Sequence, residues 1–504
     1  MSGQHEYDVL VAGSGIAGLS AAAAALQNGA RVAILERAPP EDRGGNTRWT
    51  DALMRMKRDR EVSDDFEEHF AKNSGYYLDP SLMREVASGS HEQWSGITRT
   101  LSFTDPEVIA TFADRAGPTI EWLQSFGIRF DFLPTYFLTA CQPRLAPVGG
   151  GLALVEALGA WVDANGADTF YRTTARRLVQ RADGRVAGLY VTDAEGRGRE
   201  IRAHATILAC GGFEGNPEML ARYIGPGARY IRPVARGGYY NKGEGLRMAL
   251  EVGSAPCGDF SSFHAEPLDP RSGAPEPIVL VFNYGVLVNK QGRRFVDEAP
   301  ATVDATYESI TRIIHQQNDG IGYVILDAKI DDVPNWRKAV RSDVPPHTAP
   351  TLEALADEIG VDPITLIETI SAYNDACPAP DGFQALNLDG LRTKDGYQPR
   401  KSNWARRIDT SPFRAFPVIC GNCFTFGGVK INTKAQVLDT DGIVIPGLYA
   451  GGEMIGLYYG TYTGATSVLR GAVFGKIAGA DAAQSAVARN TARSAAERPL
   501  LEPI

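Results

Sequence analysis

The apolar positions of this chain fall into two textures. Tyr7 to Ala12 is a nearly continuous apolar run, which predicts a strand buried on both faces. Leu19 to Leu26 is almost entirely alanine and leucine and predicts a helix. Arg31 to Leu35 predicts a second buried strand. Helical patterns continue to about residue 127, with turn signals at Asp79-Pro80, Asp105-Pro106 and Gly117-Pro118. Arg177 to Leu208 reads as strands joined by Asp183-Gly184 and Glu195-Gly196 turns, a meander closed by the apolar run Ala205 to Ala209. Residues 265–418 differ: proline-rich, mixed short elements, with a charged loop around 329–350. Residues 424–480 return to the first texture, with an apolar helix expected from Thr466 to near Ala480 and a fraying tail after about residue 485. The return implies a discontinuous first domain, residues 1–264 with 419–504, interrupted by an inserted capping domain, 265–418.

A length of 504 residues suits two domains. The net charge of −9 argues against nucleic acid and anionic membranes, which demand a basic face. No run of about 18 apolar residues is present, so no membrane insertion is expected. Met1 to Tyr7 lacks a signal-peptide pattern. The six cysteines are scattered, as reduced cytoplasmic thiols are, and a cytoplasmic location is the expectation. Cys420 and Cys423 form a CxxC with no second ligand pair nearby. No metal site is expected, and the pair is read as packing.

The chemistry begins at Gly13, Gly15 and Gly18, a GxGxxG between the first strand and the first helix. The first glycine makes the tight turn, the second admits a pyrophosphate to the backbone, and the third lets helix and strand pack. The helix N-terminus then faces the phosphates. Glu36 ends the second strand, where a carboxylate accepts from a ribose. The fold class is therefore α/β: a Rossmann-like dinucleotide-binding domain with an α+β cap. Gly44-Gly45-Asn46-Thr47 suits a loop passing pyrophosphate and ribityl oxygens, and Gly447 to Glu453 runs a strand into a loop with one carboxylate. A helix N-terminus after Thr466 would stabilise negative charge on a reduced flavin. These features select FAD, held non-covalently. The cofactor-binding set reads Gly13, Ser14, Gly15, Ala17, Gly18, Glu36, Arg37, Gly44, Gly45, Asn46, Thr47, Gly150, Gly151, Gly211, Gly212, Glu244, Gly428, Gly452, Glu453, Ser467 and Val468.

With these segments in order along the chain, together with Thr206 to Phe213, Asn241 to Gly245, Arg294 to Glu298 and Thr425 to Gly428, the sequence resembles the fumarate reductase and succinate dehydrogenase flavoprotein superfamily. Gly245 to Leu250, Arg294 to Glu298 and Gly471 to Gly479 most resemble its tricarballylate dehydrogenase branch. The resemblance implies an FAD domain interrupted by a cap, with substrate between cap and flavin. It also implies a histidine at His264, which is kept. Its other carboxylate- and proton-handling positions fall at or near Cys423, Tyr462, Thr302, Val279 and Phe282, and are lost. Tyrosines replace these groups: Tyr458, Tyr459 and Tyr462, with Tyr284 and Tyr307 on the cap. Ketosteroid dehydrogenases, a neighbouring branch, bind a ketone oxygen with a tyrosine at the Tyr462 position. The catalytic candidates are Tyr462 and His264, with Tyr459 first and Tyr307 second as proton acceptor.

The expected function is that of a dehydrogenase removing a hydride and a proton across a C–C bond next to a carbonyl or carboxyl group. A tricarballylate-like acid is the family default. The alternatives are a ketone or steroid dehydrogenase, an ene-reductase, and a flavin partner in corrin ring contraction. The expected partners are a small organic acid or ketone and an external electron acceptor or donor, since no second nucleotide fingerprint is present.

Overall fold

The computed structural model describes residues 7–74, 79–101, 103, 105–132, 144–379 and 381–496. Its first layer is an eight-stranded sheet built on the apolar runs. The strand Tyr7–Ala12 lies at the centre, parallel to Val32–Leu35 on one side and to the end of Gly198–Leu208 on the other. Asp168–Phe170 and Val444–Ala450 extend it outward in parallel, and Gln436–Leu438 closes one edge. The first half of Gly198–Leu208 pairs antiparallel with Val186–Thr192, which pairs with Thr174–Gln180. The meander's second half thus becomes a core strand. Parallel strands buried on both faces need no polar alternation, which is why these segments are so uniformly apolar.

Two helices cross on one face of this sheet. Ile16–Gln27 packs against the C-terminal helix Ser467–Ala496 through glycines. A Cβ on Gly475 would lie 2.2 Å from the carbonyl oxygen of Ala17, and one on Gly479 2.0 Å from that of Ala21. The C-terminal helix therefore does not stop near Ala480, nor does the chain fray from residue 485. It continues to Ala496, with Ala482, Ala483 and Ala486 buried. The Gly117-Pro118 turn signal is also overridden. Both residues lie inside the helix Pro106–Gln124, where Gly117 meets the Arg60 carbonyl at a distance no side chain could tolerate. Asp79 and Asp105 do start helices, as N-caps with proline in the first turn.

The second layer is a six-stranded sheet organised around the long strand Phe413–Thr425. That strand pairs antiparallel with Phe263–Leu268, Ile321–Leu326 and His347–Ala349, and parallel with Arg232–Pro233. The helix Val303–His315 packs on this sheet. The expected boundaries at 264/265 and 418/419 fall inside two of its strands, Phe263–Leu268 and Phe413–Thr425, which pair over Ile419 to Thr425. The 329–350 segment is no free loop: Ile330, Val333, Trp336 and Ala339 are buried in the cap core. No helix among the described residues is long and apolar enough to cross a membrane.

Candidate active site

A cavity opens at the C-terminal ends of the parallel strands, where an open α/β sheet binds its ligand. It runs from the glycine turn to the cap. Gly13 has φ 109°, and a Cβ there would stand 2.2 Å from Ala209 O. Gly15 caps the first helix without a side chain, and Gly45 has open space where its Cβ would point. The Thr47 Oγ1 accepts from the Ile16 N–H (3.1 Å). Glu36 is buried and accepts from the Ser14 N–H (3.0 Å), the Ser14 Oγ (2.5 Å) and the Ala38 N–H (2.7 Å). Arg37 pairs with Glu244 and donates to the Tyr240 carbonyl (3.1 Å). A side-chain-free helix start, an open glycine and a fixed carboxylate at one end of a long cavity form a cradle that fits FAD.

Of the expected cofactor set, Gly13, Ser14, Gly15, Ala17, Glu36, Arg37, Gly45, Asn46, Thr47, Gly211, Glu244, Gly452, Glu453, Ser467 and Val468 line the cavity. Gly18, Gly44, Gly150, Gly151, Gly212 and Gly428 do not. They permit close approach instead, as Gly428 does against the backbone of Ile455 and Gly456. Glu453 accepts from both the N–H (2.7 Å) and the Oγ1 (2.9 Å) of Thr425. Its neighbour Glu214 is fully buried against Asn46 (2.6 Å) and Asn241 (2.9 Å). Burial and the charge of Glu453 hold Glu214 well above the usual carboxyl range.

The cap end is aromatic. The rings of His264 and Tyr462 are 4.4 Å apart, Phe424 stands 5.0 Å from Tyr462, and His264 Nε2 meets the Tyr307 hydroxyl at 2.7 Å. Burial, with Arg312 and Arg144 adding like charge, pushes His264 down to about 3, so its ring is neutral. The Tyr462 hydroxyl accepts from the N–H groups of Thr466 and Ser467, both at 2.9 Å, and donates to the Ser467 Oγ at 3.0 Å. The first donors of the C-terminal helix are thus taken by a side chain, which leaves Val468 as the next residue on the cavity wall.

Two expected roles change. Tyr459 lies outside this cavity: its hydroxyl accepts from the Gly258 N–H (2.8 Å) beneath the loop. Tyr307 does line the cavity, but burial and the charges of Glu266 and Glu308 hold it well above the usual tyrosine range. That shift disfavours the phenolate form a proton acceptor needs. Tyr284 donates to the Ala385 carbonyl (2.7 Å), within the cap core. Cys420 packs with Ile231, Phe263 and Ala265. Cys423, by contrast, is the extra residue of a bulge opposite His264–Ala265 and lines the cavity.

Residues that sequence reasoning passed over complete the wall: Arg144, Arg341, Glu266, Glu276, Asp51 and Asp304. Arg341 pairs with Asp51 and with Glu276 (2.9 Å), and Arg144 stands 3.9 Å from Asp304. Glu308 accepts from the Tyr462 N–H (3.2 Å) and pairs with Arg312 (2.9 Å). Only Glu266 carries a local signal, since a strand turns residues i and i+2 to one face and His264 is two positions before it.

Fold and cradle together define an FAD-binding protein in which a cap covers a dinucleotide-binding sheet. A family model described as the FAD binding domain matches residues 8–469, and the chain belongs to that family. The NADH:acrylate oxidoreductase of Vibrio harveyi is 28% identical over 95% of this chain and 50% of its own length. The chain thus spans about half of that relative. The 3-oxosteroid 1-dehydrogenase of Mycolicibacterium smegmatis is 27% identical over 97% of this chain and 99% of its own. The open conformation of a flavocytochrome c3 fumarate reductase superposes with a TM-score of 0.73 at 25% identity, covering 96% of this chain and 79% of that one. The superfamily resemblance and FAD as cofactor are thereby established. These relatives do not single out the tricarballylate branch.

Proposed function

We propose that the protein moves a hydride and a proton across a carbon–carbon bond next to a carbonyl group, with Tyr462 holding the carbonyl oxygen. The observation that carries this reading is the Tyr462 hydroxyl. Two backbone N–H groups occupy its oxygen, so its remaining capacity is to donate, and the proton now rests on Ser467 Oγ at the cavity wall. A substrate carbonyl that takes this hydrogen bond is polarised, and the C–H beside it is acidified. Bound FAD supplies the acceptance or donation of hydride at the neighbouring carbon, held by the glycine turn, Glu36, Asn46, Thr47 and Glu453. His264 stays neutral, meets the Tyr307 hydroxyl and lies tilted against the Tyr462 ring, while Phe424 adds an apolar ring to the same wall. Electrons enter or leave through an external donor or acceptor.

A second reading, a tricarballylate-like acid, is supported by Arg144 and Arg341 on the cavity wall. Both already face carboxylates of the protein, which favours the carbonyl reading. Anaerobic bleaching of the flavin by a panel of cyclic ketones, 3-keto steroids and saturated tricarboxylates separates the two. Unsaturated counterparts offered to the pre-reduced protein test the reverse direction. Response to ketones or enones supports the proposal, and response to tricarboxylates alone supports the second reading. No response to either class refutes both.

A further inference from the structure

Proton transfer needs a group that gains and loses a proton near neutral pH. Neither His264 nor Tyr307 does so, one being neutral and the other protonated across that range. The cavity holds a different candidate on the same strand. Glu266 follows His264 by two residues on Phe263–Leu268 and lines the cavity. A ring nitrogen of His264, a carboxyl oxygen of Glu266 and the Cys423 sulfur all lie within 4.8 Å of one another. Outward from Glu266 stands Glu276, which has φ 48°, a left-handed backbone that a residue with a side chain adopts only where its surroundings enforce it. Exposure then rises stepwise, from 16% for the Glu276 side chain to 35% for Arg341 and 50% for Asp51. The arrangement is a series of charged groups leading from the cavity to solvent.

We propose that Glu266 is the acid–base residue of this site and that Glu276, with the Arg341–Asp51 pair, passes its proton to and from solvent. This rests on the hydride-transfer reading above. In the oxidising direction, the proton on the carbon next to the carbonyl passes to the Glu266 carboxylate. The electron pair of that C–H bond would become the new C=C π bond as hydride leaves the neighbouring carbon, bound FAD being the group that would supply the two-electron acceptor. In the reducing direction, protonated Glu266 returns the proton to that carbon.

The electrostatics agree with this role. Burial pushes Glu266 up to about 7, reinforced by Asp51 and Glu308 and opposed by the Cys423 hydrogen bond and Arg341. Burial and the charge of Glu266 push Glu276 up to about 8, opposed by Arg341. The two carboxyls titrate as a pair. The other groups around them are fixed. Cys423 is held well above the usual thiol range by burial and by Glu266, Tyr307 stays protonated, and His264 stays neutral.

Glu266→Gln in the FAD-loaded protein tests the proposal. Expected are normal FAD content, flavin reduction by substrate slowed about 10²-fold or more, and loss of a pH step near 7 that the parent protein shows. Substrate oxidation should rise with pH through that step, because the carboxylate is the active form; substrate reduction should fall. Glu266→Asp should recover part of the rate. Reduction at the parent rate with the pH step intact overturns the proposal. A substrate-free measurement separates this from failure of the hydride-transfer reading. Infrared difference spectra across pH about 7 should show a protonated carboxyl losing its band, and Glu266→Gln should remove that change. No such carboxyl in the parent protein overturns the proposal whatever the panel shows. Should Glu266→Gln not fold, Glu276→Gln serves instead. It should slow turnover and move the pH step downward, and an unchanged rate and step would refute the relay.

Discussion

Replacing Tyr462 with Phe keeps the ring against His264 and Phe424 and removes one oxygen. That oxygen accepts from the N–H groups of Thr466 and Ser467 and donates to Ser467 Oγ. A donor left without a partner in a buried setting costs about 1–3 kcal/mol. Tyr462 and Ser467 are half-buried, whereas Thr466 is fully buried. The lower end applies to the Ser467 N–H and the upper end to that of Thr466, about 4 kcal/mol together, which lowers the melting midpoint by a few degrees. The effect on chemistry is separate. If the hydroxyl polarises the substrate, flavin reduction falls about 10²-fold or more. The assay is stopped-flow anaerobic reduction of the variant at matched FAD content, with a melting curve alongside. Reduction at the parent rate removes Tyr462 from the chemistry. An unchanged melting midpoint refutes the claim that its hydroxyl caps the C-terminal helix.

Three further expectations separate cradle, scaffold and charge. Gly15→Val should fold yet bind no FAD, because a Cβ there meets only ordinary contacts at 3.4 Å and beyond in the protein itself but intrudes where the pyrophosphate approaches; near-normal FAD content in the soluble variant would contradict the cradle. Gly475→Leu should instead abolish soluble protein altogether, since the side chain is driven into the Ala17 backbone; a folded, FAD-loaded variant would show that the two helices separate cheaply. His264, held at about 3 when folded against about 6.5 unfolded, contributes stability that is fully present above pH about 6.5. It is lost as pH falls toward 3, because the unfolded chain binds the extra proton. His264→Phe should flatten that acid-side decline in urea-melt midpoints, and an equally steep decline in the variant would argue against a buried neutral ring.

Much of the cofactor half was legible in the residues alone. GxGxxG, Glu36 and the alanine-rich helix are contiguous, and their geometry follows from local backbone freedom and the period of a βαβ unit. Local signals misled where a neighbour overrode them: Gly117-Pro118 is helical because Arg60 packs on it, and the C-terminal helix passes Ala480 because Gly475 and Gly479 press it against Ala17 and Ala21. The proton-handling end was not legible. Arg341 reaches Asp51 across 290 residues of chain, and Glu276 and Cys423 enter the cavity only because a left-handed turn and a bulge aim them there. The residue order alone determines periodicity, turns and any motif that closes on itself within some thirty positions. Which charges from distant segments face one another in a cavity depends on how two sheets stack. That arrangement lets burial move Glu266 and Glu276 toward neutrality while holding His264 uncharged, because desolvation is a property of the assembled surroundings and not of any one segment.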